Sequence, residues 1–307
     1  MFRTPGRFTL LALVMACIAC ASAALAAGPA VSTSFEVVRE MRVEGRVVIA
    51  ADGSVKDVVL ETSLAPEIDA AVQARIRSWR FVPVVVAGAA SQAEARMTLS
   101  LVASQAAGGN FLIKVDSAQF EDPAEHEAHK RGKWTSDRPT ARIGLDEKLS
   151  SPIYPEDLLK LGVDGRVLVG MRLNADGRVA EAVILETMLV DARGRDRAVA
   201  AALNQLERSV LARARTWRFT VTTKGTPTPE DLTVVVPVHY IMRDGMAGDA
   251  DPAGVWRVLL RAPKRSMPWV PASPGRTAPG LADLAGGGFR PLESGIRLAQ
   301  DVAGTYL

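Results

Sequence analysis

Few side chains in this sequence are of types and spacings that carry out chemistry. His126 and His129 stand three apart, with Asp122, Glu125 and Glu127 beside them. On a helix that spacing sets two imidazole nitrogens on one face, as a metal site requires. The same stretch reads as a charged, solvated linker, and that is the reading adopted. His239 follows Val236 and Val238 on an expected strand and reads as an edge or surface histidine. Glu61 and Glu186 sit in matching Leu-Glu-Thr runs, where a carboxylate pair would be general acid and base; both are expected to face solvent. No Ser-His-Asp set has a recognisable context. The Gly-rich run at 285–288 has no Lys-Ser or Lys-Thr after it, so it is no phosphate loop. We expect no catalytic, cofactor-binding or metal-binding residue, and no enzyme.

The two cysteines, Cys17 and Cys20, both fall in an apolar run, Phe8 to Ala27. Arg3 and Arg7 precede it, and it closes on the small-x-small site Ala24-Leu25-Ala26. A basic start, an apolar middle and such a site make a secretory signal over residues 1–27. Two other fates compete with cleavage. A run of twenty residues is just long enough to span a bilayer, which would leave an inner-membrane anchor facing the periplasm. Val14-Met15-Ala16-Cys17 resembles a lipobox, which would make a lipoprotein at Cys17. Eight of the twenty residues are Ala, a weakly apolar residue, so cleavage and a periplasmic product are expected. A chain cut near Ala27 keeps no thiol, which removes disulfides, zinc-thiolate sites and thiol catalysis.

The chain has 307 residues and a net charge of +3, of which Arg3 and Arg7 supply two. The remaining Arg residues are scattered among acids. No basic field of the kind that holds nucleic acid is present.

What must position any site is an internal repeat. Ala51-Asp52-Gly53-Ser54-Val55 recurs as Ala175-Asp176-Gly177-Arg178-Val179. Each leads to a Leu-Glu-Thr run and then to Trp-Arg-Phe, at Trp79-Arg80-Phe81 and Trp217-Arg218-Phe219. Val167, Val169, Met171 and Leu173 alternate, as do Val43, Val47 and Ile49 around Gly45; a period of two marks a strand with one buried face. Asp-Gly supplies the positive φ of a tight turn, so each copy opens with a hairpin. Ile68, Val72, Ile76 and Trp79, and Val199, Leu203, Leu206, Val210 and Trp217, then form apolar helical stripes. Pro66 marks the first helix start, with Ser63 as its expected cap. The two Trp residues are expected in the core, with Arg80 and Arg218 in solvent. The second copy has about fourteen more residues between turn and Trp, assigned to extra helix or to a loop plus a turn. A last strand follows in each copy, at 95–103 and at 232–241, where Pro237 implies an edge or bulge.

The remainder reads as less ordered. Residues 106–150 look like a linker with one short strand at Phe111 to Val115. Residues 244–307 are rich in Gly, Pro and Ala and are expected to be largely disordered, with Trp256, Trp269 and Phe289 pinning short pieces of it to a domain. The expected fold class is α+β: two small ββαβ domains, each an antiparallel sheet on one helix. The boundaries are 1–27 signal, 28–105 first copy, 106–150 linker, 151–243 second copy and 244–307 tail.

Ser151-Pro152-Ile153-Tyr154-Pro155, Gly165-Arg166-Val167, Asp176-Gly177 and Trp217-Arg218-Phe219 together resemble the TonB C-terminal domain. The first copy carries the turn and the Trp-Arg-Phe and lacks the Pro-x-Tyr-Pro opening. The resemblance implies a binding module of the energy-transducer family, active in transport across the envelope. Such a module pairs an open sheet edge with an extended segment of a TonB-dependent outer-membrane receptor or another envelope protein. It places partner contacts at Tyr154, Pro155, Thr233, Val234, Val235, Val236, Val238, His239, Tyr240 and Ile241. The apolar segment 8–27 has no ionisable group, no Pro-rich spacer follows it, and the domain is doubled; all three depart from a transducer. The second class of function is a structural envelope protein that grips peptidoglycan or an assembly partner. Nucleic acid is not an expected partner, and the sequence does not fix the oligomeric state.

Overall fold

The computed structural model describes residues 34–130, 135–137, 140–145, 147–156, 158, 163–190, 192, 195–241, 252–271, 280, 289–292 and 295–307. The expected signal segment lies outside them. Ser32–Leu307 form one compact unit.

The first copy runs β1 (Glu36–Ile49), β2 (Val55–Leu60), α1 (Pro66–Arg77), a small hairpin β3 (Val84–Val86) and β4 (Ala89–Ser91), then β5 (Ala93–Gln105) and β6 (Phe111–Glu121). Then come α2 (Pro123–Lys130), β7 (Thr135–Asp137) and β8 (Ala141–Gly144). The second copy runs β9 (Asp164–Leu173), β10 (Val179–Val190), α3 (Asp196–Ala214), β11 (Thr220–Thr223) and β12 (Thr233–Tyr240). The last segment adds β13 (Arg257–Arg261) and β14 (Arg290–Pro291). The class is α+β and sheet-dominated, and every strand pairing is antiparallel.

One nine-stranded sheet carries both copies, in the order β14-β12-β9-β10-β13-β1-β5-β6, with β2 beside β1. Each copy repeats the same local pairing: a hairpin, β1–β2 or β9–β10, whose first strand also pairs with a longer strand further on past the helix, β5 or β12. The helix of each copy buries its stripe on one face of the sheet. Val72, Ile76 and Trp79 join Val43, Val47 and Ile49 in one cluster. Val199, Leu203, Leu206, Val210 and Trp217 join Val167, Val169, Met171 and Leu173 in the other.

The paired motifs have a backbone explanation. Gly53 and Gly177 close their turns at φ 82° and 77°. The carbonyl of each glycine then accepts the amide of the Trp-Arg-Phe phenylalanine, Phe81 to Gly53 at 2.8 Å and Phe219 to Gly177 at 3.0 Å. A Cβ on Gly53 would stand 2.1 Å from the Phe81 oxygen, and one on Gly177 would stand 1.7 Å from that of Phe219. The Asp-Gly turn and the Trp-Arg-Phe segment are therefore two halves of one clasp, which is why they recur together. Trp79 and Trp217 are buried, and Arg80 and Arg218 are exposed.

Several expectations change. Ala65, not Ser63, stands at the N-cap of α1; Pro66 at the first position removes one unmet N–H, and Glu67 and Asp69 face the helix dipole. The extra length of the second copy divides between a 12-residue β10 and a 19-residue α3, against 6 and 12 residues in the first. The segment expected as a linker contains β6, whose 11 residues extend well beyond Val115. It also contains β8, which pairs with β11 in a separate three-stranded sheet.

The largest change concerns the tail. Its described parts are ordered, and β13 lies inside the sheet between β1 and β10. Composition misled because it averages over the segment, whereas Leu259 and Leu260 are locally apolar and bury on opposite faces. A strand with a partner on each side gains two ladders for one ordering cost. Trp256, Trp269 and Phe289 pack against the three clusters.

Candidate functional site

The partner contacts expected from the sequence fall at one end of the sheet. Trp217 donates its indole N–H to the Ser150 carbonyl at 2.8 Å, and the Ser209 hydroxyl donates to the Ile153 carbonyl. These bonds hold the segment Ser150–Pro155 against the second copy. Tyr154 thereby reaches Tyr240, with ring centroids 5.0 Å apart and planes at 54°. Its hydroxyl donates to the Val163 carbonyl. Burial pushes the Tyr154 hydroxyl up to about 12, with Asp164 and Tyr240 adding to the effect. Burial also raises Tyr240, against a hydrogen bond to Ser209. Neither phenol ionises near neutral pH, so the pair is an uncharged aromatic corner. The chain neighbours of the two rings, Ile153 and Ile241, are 74% and 52% exposed. Pro155 starts the short turn that closes on Leu158.

The strand edge is unequal along its length. Val234 and Val235 pair outward with Pro291 and Arg290 of β14, so this part of the expected contact edge is already filled by the chain itself. The reason lies in the core: Phe289 is fully buried and meets Phe219 edge to face, with centroids 5.6 Å apart, and this fixes the strand that follows it. Thr233 is buried, with its hydroxyl bonded to the Pro229 carbonyl and accepting from the Trp269 indole. Over Val236, Pro237, Val238, His239 and Tyr240, β12 pairs with β9, and among the described residues no strand pairs on its other side. Pro237 suits such a position because it has no N–H to leave unmet. Val236 and Val238 are buried, and His239 is half-buried.

A second concentration of polar groups lies where the two copies meet. Arg261 of β13, 4% exposed, bonds Asp116 of β6 at 2.8 Å and Glu36 of β1 at 3.0 Å, and approaches Glu186 of β10 to 3.5 Å. Lys264 bonds Asp116 at 2.7 Å and lies 3.6 Å from Glu186. Glu40 of β1 accepts from Ser100 of β5 at 2.8 Å through one oxygen; its other oxygen has no partner among the described residues. Burial, then the nearby Glu186, push the Glu40 carboxyl up to about 8. Asp116 is raised by burial, but Lys264 and Arg261 outweigh this and hold it below the usual carboxylate range. Glu186 was expected in solvent and is 3% exposed, because β13 and the chain after it cover the end of β10. The pairing of β13 with two distant strands left no sequence signal for this cluster. Glu61 instead faces Arg46 and Arg96 near the surface.

His126 lies on α2 and contacts Glu121 at 2.9 Å. Among the described residues no group of three His, Cys, Asp or Glu side chains is set to hold a metal, and no helix is long and apolar enough to cross a membrane.

Fold and site define a sheet-dominated α+β protein with a partly filled strand edge and a buried ionic seam. No family model, curated protein or solved structure matches the chain.

Proposed function

We propose that this chain is an exported periplasmic protein of two TonB C-terminal-like ββαβ units, binding an extended segment of an envelope protein by strand addition. The reading rests on the edge of β12. Its Val234–Val235 part already holds an added strand from elsewhere in the chain, and its Val236–Tyr240 part shows no added strand among the described residues. An edge that pairs with one extended segment offers the same backbone donors and acceptors to the next. The Tyr154–Tyr240 corner, with Ile153 and Ile241 exposed beside it, supplies apolar contact for the side chains of such a segment.

A photoreactive amino acid at Ile241, in cells that carry TonB-dependent receptors, should crosslink to an outer-membrane protein. The same group at Val59, exposed on the first copy, should not. Equal labelling from both positions, or capture of cell-wall fragments alone, would reject the proposal. Mass spectrometry of the purified protein should find a start near Gly28; a retained Met1 would instead support an anchored form.

A further inference from the structure

β13 is the only described strand that joins the two copies within the nine-stranded sheet, and it does so beside a buried acid. Glu36–Glu40 of β1 pair with it on one side, and Met188–Val190 of β10 on the other. Glu40 is directly opposite Arg257 in that register and is 5% exposed. Its carboxyl faces Ser100 from β5, Asp116 from β6, Glu186 from β10 and Arg261 from β13, and Lys264 sits between Asp116 and Glu186. The two cations are committed to Asp116, Glu186 and Glu36. One Glu40 oxygen accepts from Ser100, and among the described residues no donor is aimed at the other. A carboxylate there would be buried, bonded through one oxygen only and next to another carboxylate; a carboxylic acid would be comfortable.

We propose that Glu40 is a proton-operated latch on the seam: protonated, it lets β13 lie between β1 and β10, and loss of the proton releases β13 and uncouples the two copies. The proton passes to solvent when the seam opens, and no other group need change state. Arg261 and Lys264 leave with β13, so Asp116 and Glu186, the two acids buried beside them, become solvated. An exported protein meets the pH of its surroundings, so this seam would respond to external alkalinity. The latch stands independently of the strand-addition reading, and either can fail without the other.

The sign follows from the two states. Closed, Glu40 holds its proton up to about pH 8; open, it would lose it near the ordinary 4.5. Opening therefore releases a proton throughout that window. The stabilisation is complete below pH 4.5 and is lost as pH rises to about 8, beyond which it changes no further.

Amide hydrogen exchange of the intact protein reads this directly. After correction for the intrinsic rate, protection of Arg257–Arg261 relative to Val167–Leu173 should fall close to tenfold per pH unit between about pH 5 and 8. In Glu40→Gln, which mimics the protonated acid, protection should stay level. Should that variant fail to fold, Ser100→Ala serves: losing the donor that favours the charged form should move the end of the decline to higher pH. A flat profile in the natural protein, an unchanged slope in Glu40→Gln, or an unmoved profile in Ser100→Ala would each overturn the latch.

Discussion

The two copies share a hairpin, a helix and a clasp, yet they treat the far face of the sheet in opposite ways. Aligned on their Asp-Gly turns, Val43, Val47 and Ile49 match Val167, Met171 and Leu173, all buried beneath a helix. The outward positions differ. Glu44 and Arg46 of the first copy stand where the second has Leu168 and Gly170. In the second copy Leu168, Leu185, Met188 and Val235 are buried beneath Met267, Trp269, Val270 and Leu292. Gly170 leaves room for that cover: a Cβ there would lie 2.7 Å from the Met267 sulfur. The lesson is that a repeated unit need not repeat its solvent boundary, because a segment from outside the repeat decides which face is wet.

The Trp residues show a second inequality. Trp217 has the Ser150 carbonyl as acceptor, whereas the buried indole N–H of Trp79 has no partner among the described residues. The difference is the opening segment at 150–155, which the first copy lacks. The first copy compensates through Phe120 of β6, which meets Trp79 and Phe81 edge to face at 6.0 and 4.8 Å. Phe289 plays the same part against Phe219, so the segment of β14 is to the second copy what β6 is to the first.

The strongest way to break this comparison is to exchange the outward residues. Leu168→Glu puts a charge under Met267 and Leu292 and should cost about 4 kcal/mol or more, whereas Glu44→Leu should stay within about 1 kcal/mol. Urea unfolding of both variants measures the difference, and equal costs would mean that the far faces are equally wet. The turns should behave alike instead. Gly53→Ala and Gly177→Ala each force a Cβ into a backbone oxygen at positive φ and should each lose about 3 kcal/mol or more in the same assay. Next in size come the indoles: Trp217→Phe should cost about 1–2 kcal/mol more than Trp79→Phe, because only the former removes a satisfied buried bond. Smallest is Tyr154→Phe, which loses one hydroxyl bond and should cost about 1 kcal/mol in thermal melts. Its sharper readout is a weaker crosslink from Ile241 if the corner serves binding.

Much of each copy was legible in sequence because local rules govern it. The period of two, the Asp-Gly turn and the three-and-four spacing of the helix stripes all act over a few residues. The expected binding residues were legible only as a strand. That Val234 and Val235 are already paired depends on Arg290 and Pro291, and nothing in either segment alone announces the other.

The sequence by itself determined two hairpins, two amphipathic helices and the Trp-Arg-Phe segments, since turn chemistry and side-chain periodicity dictate them. Tertiary structure decided that the copies share one sheet, that a Gly- and Pro-rich tail supplies the strand between them, and that Glu40 and Glu186 end up buried together. Strand pairing is backbone chemistry, largely blind to side-chain identity. A partner far along the chain is therefore chosen by whichever edge and cavity the finished fold leaves open.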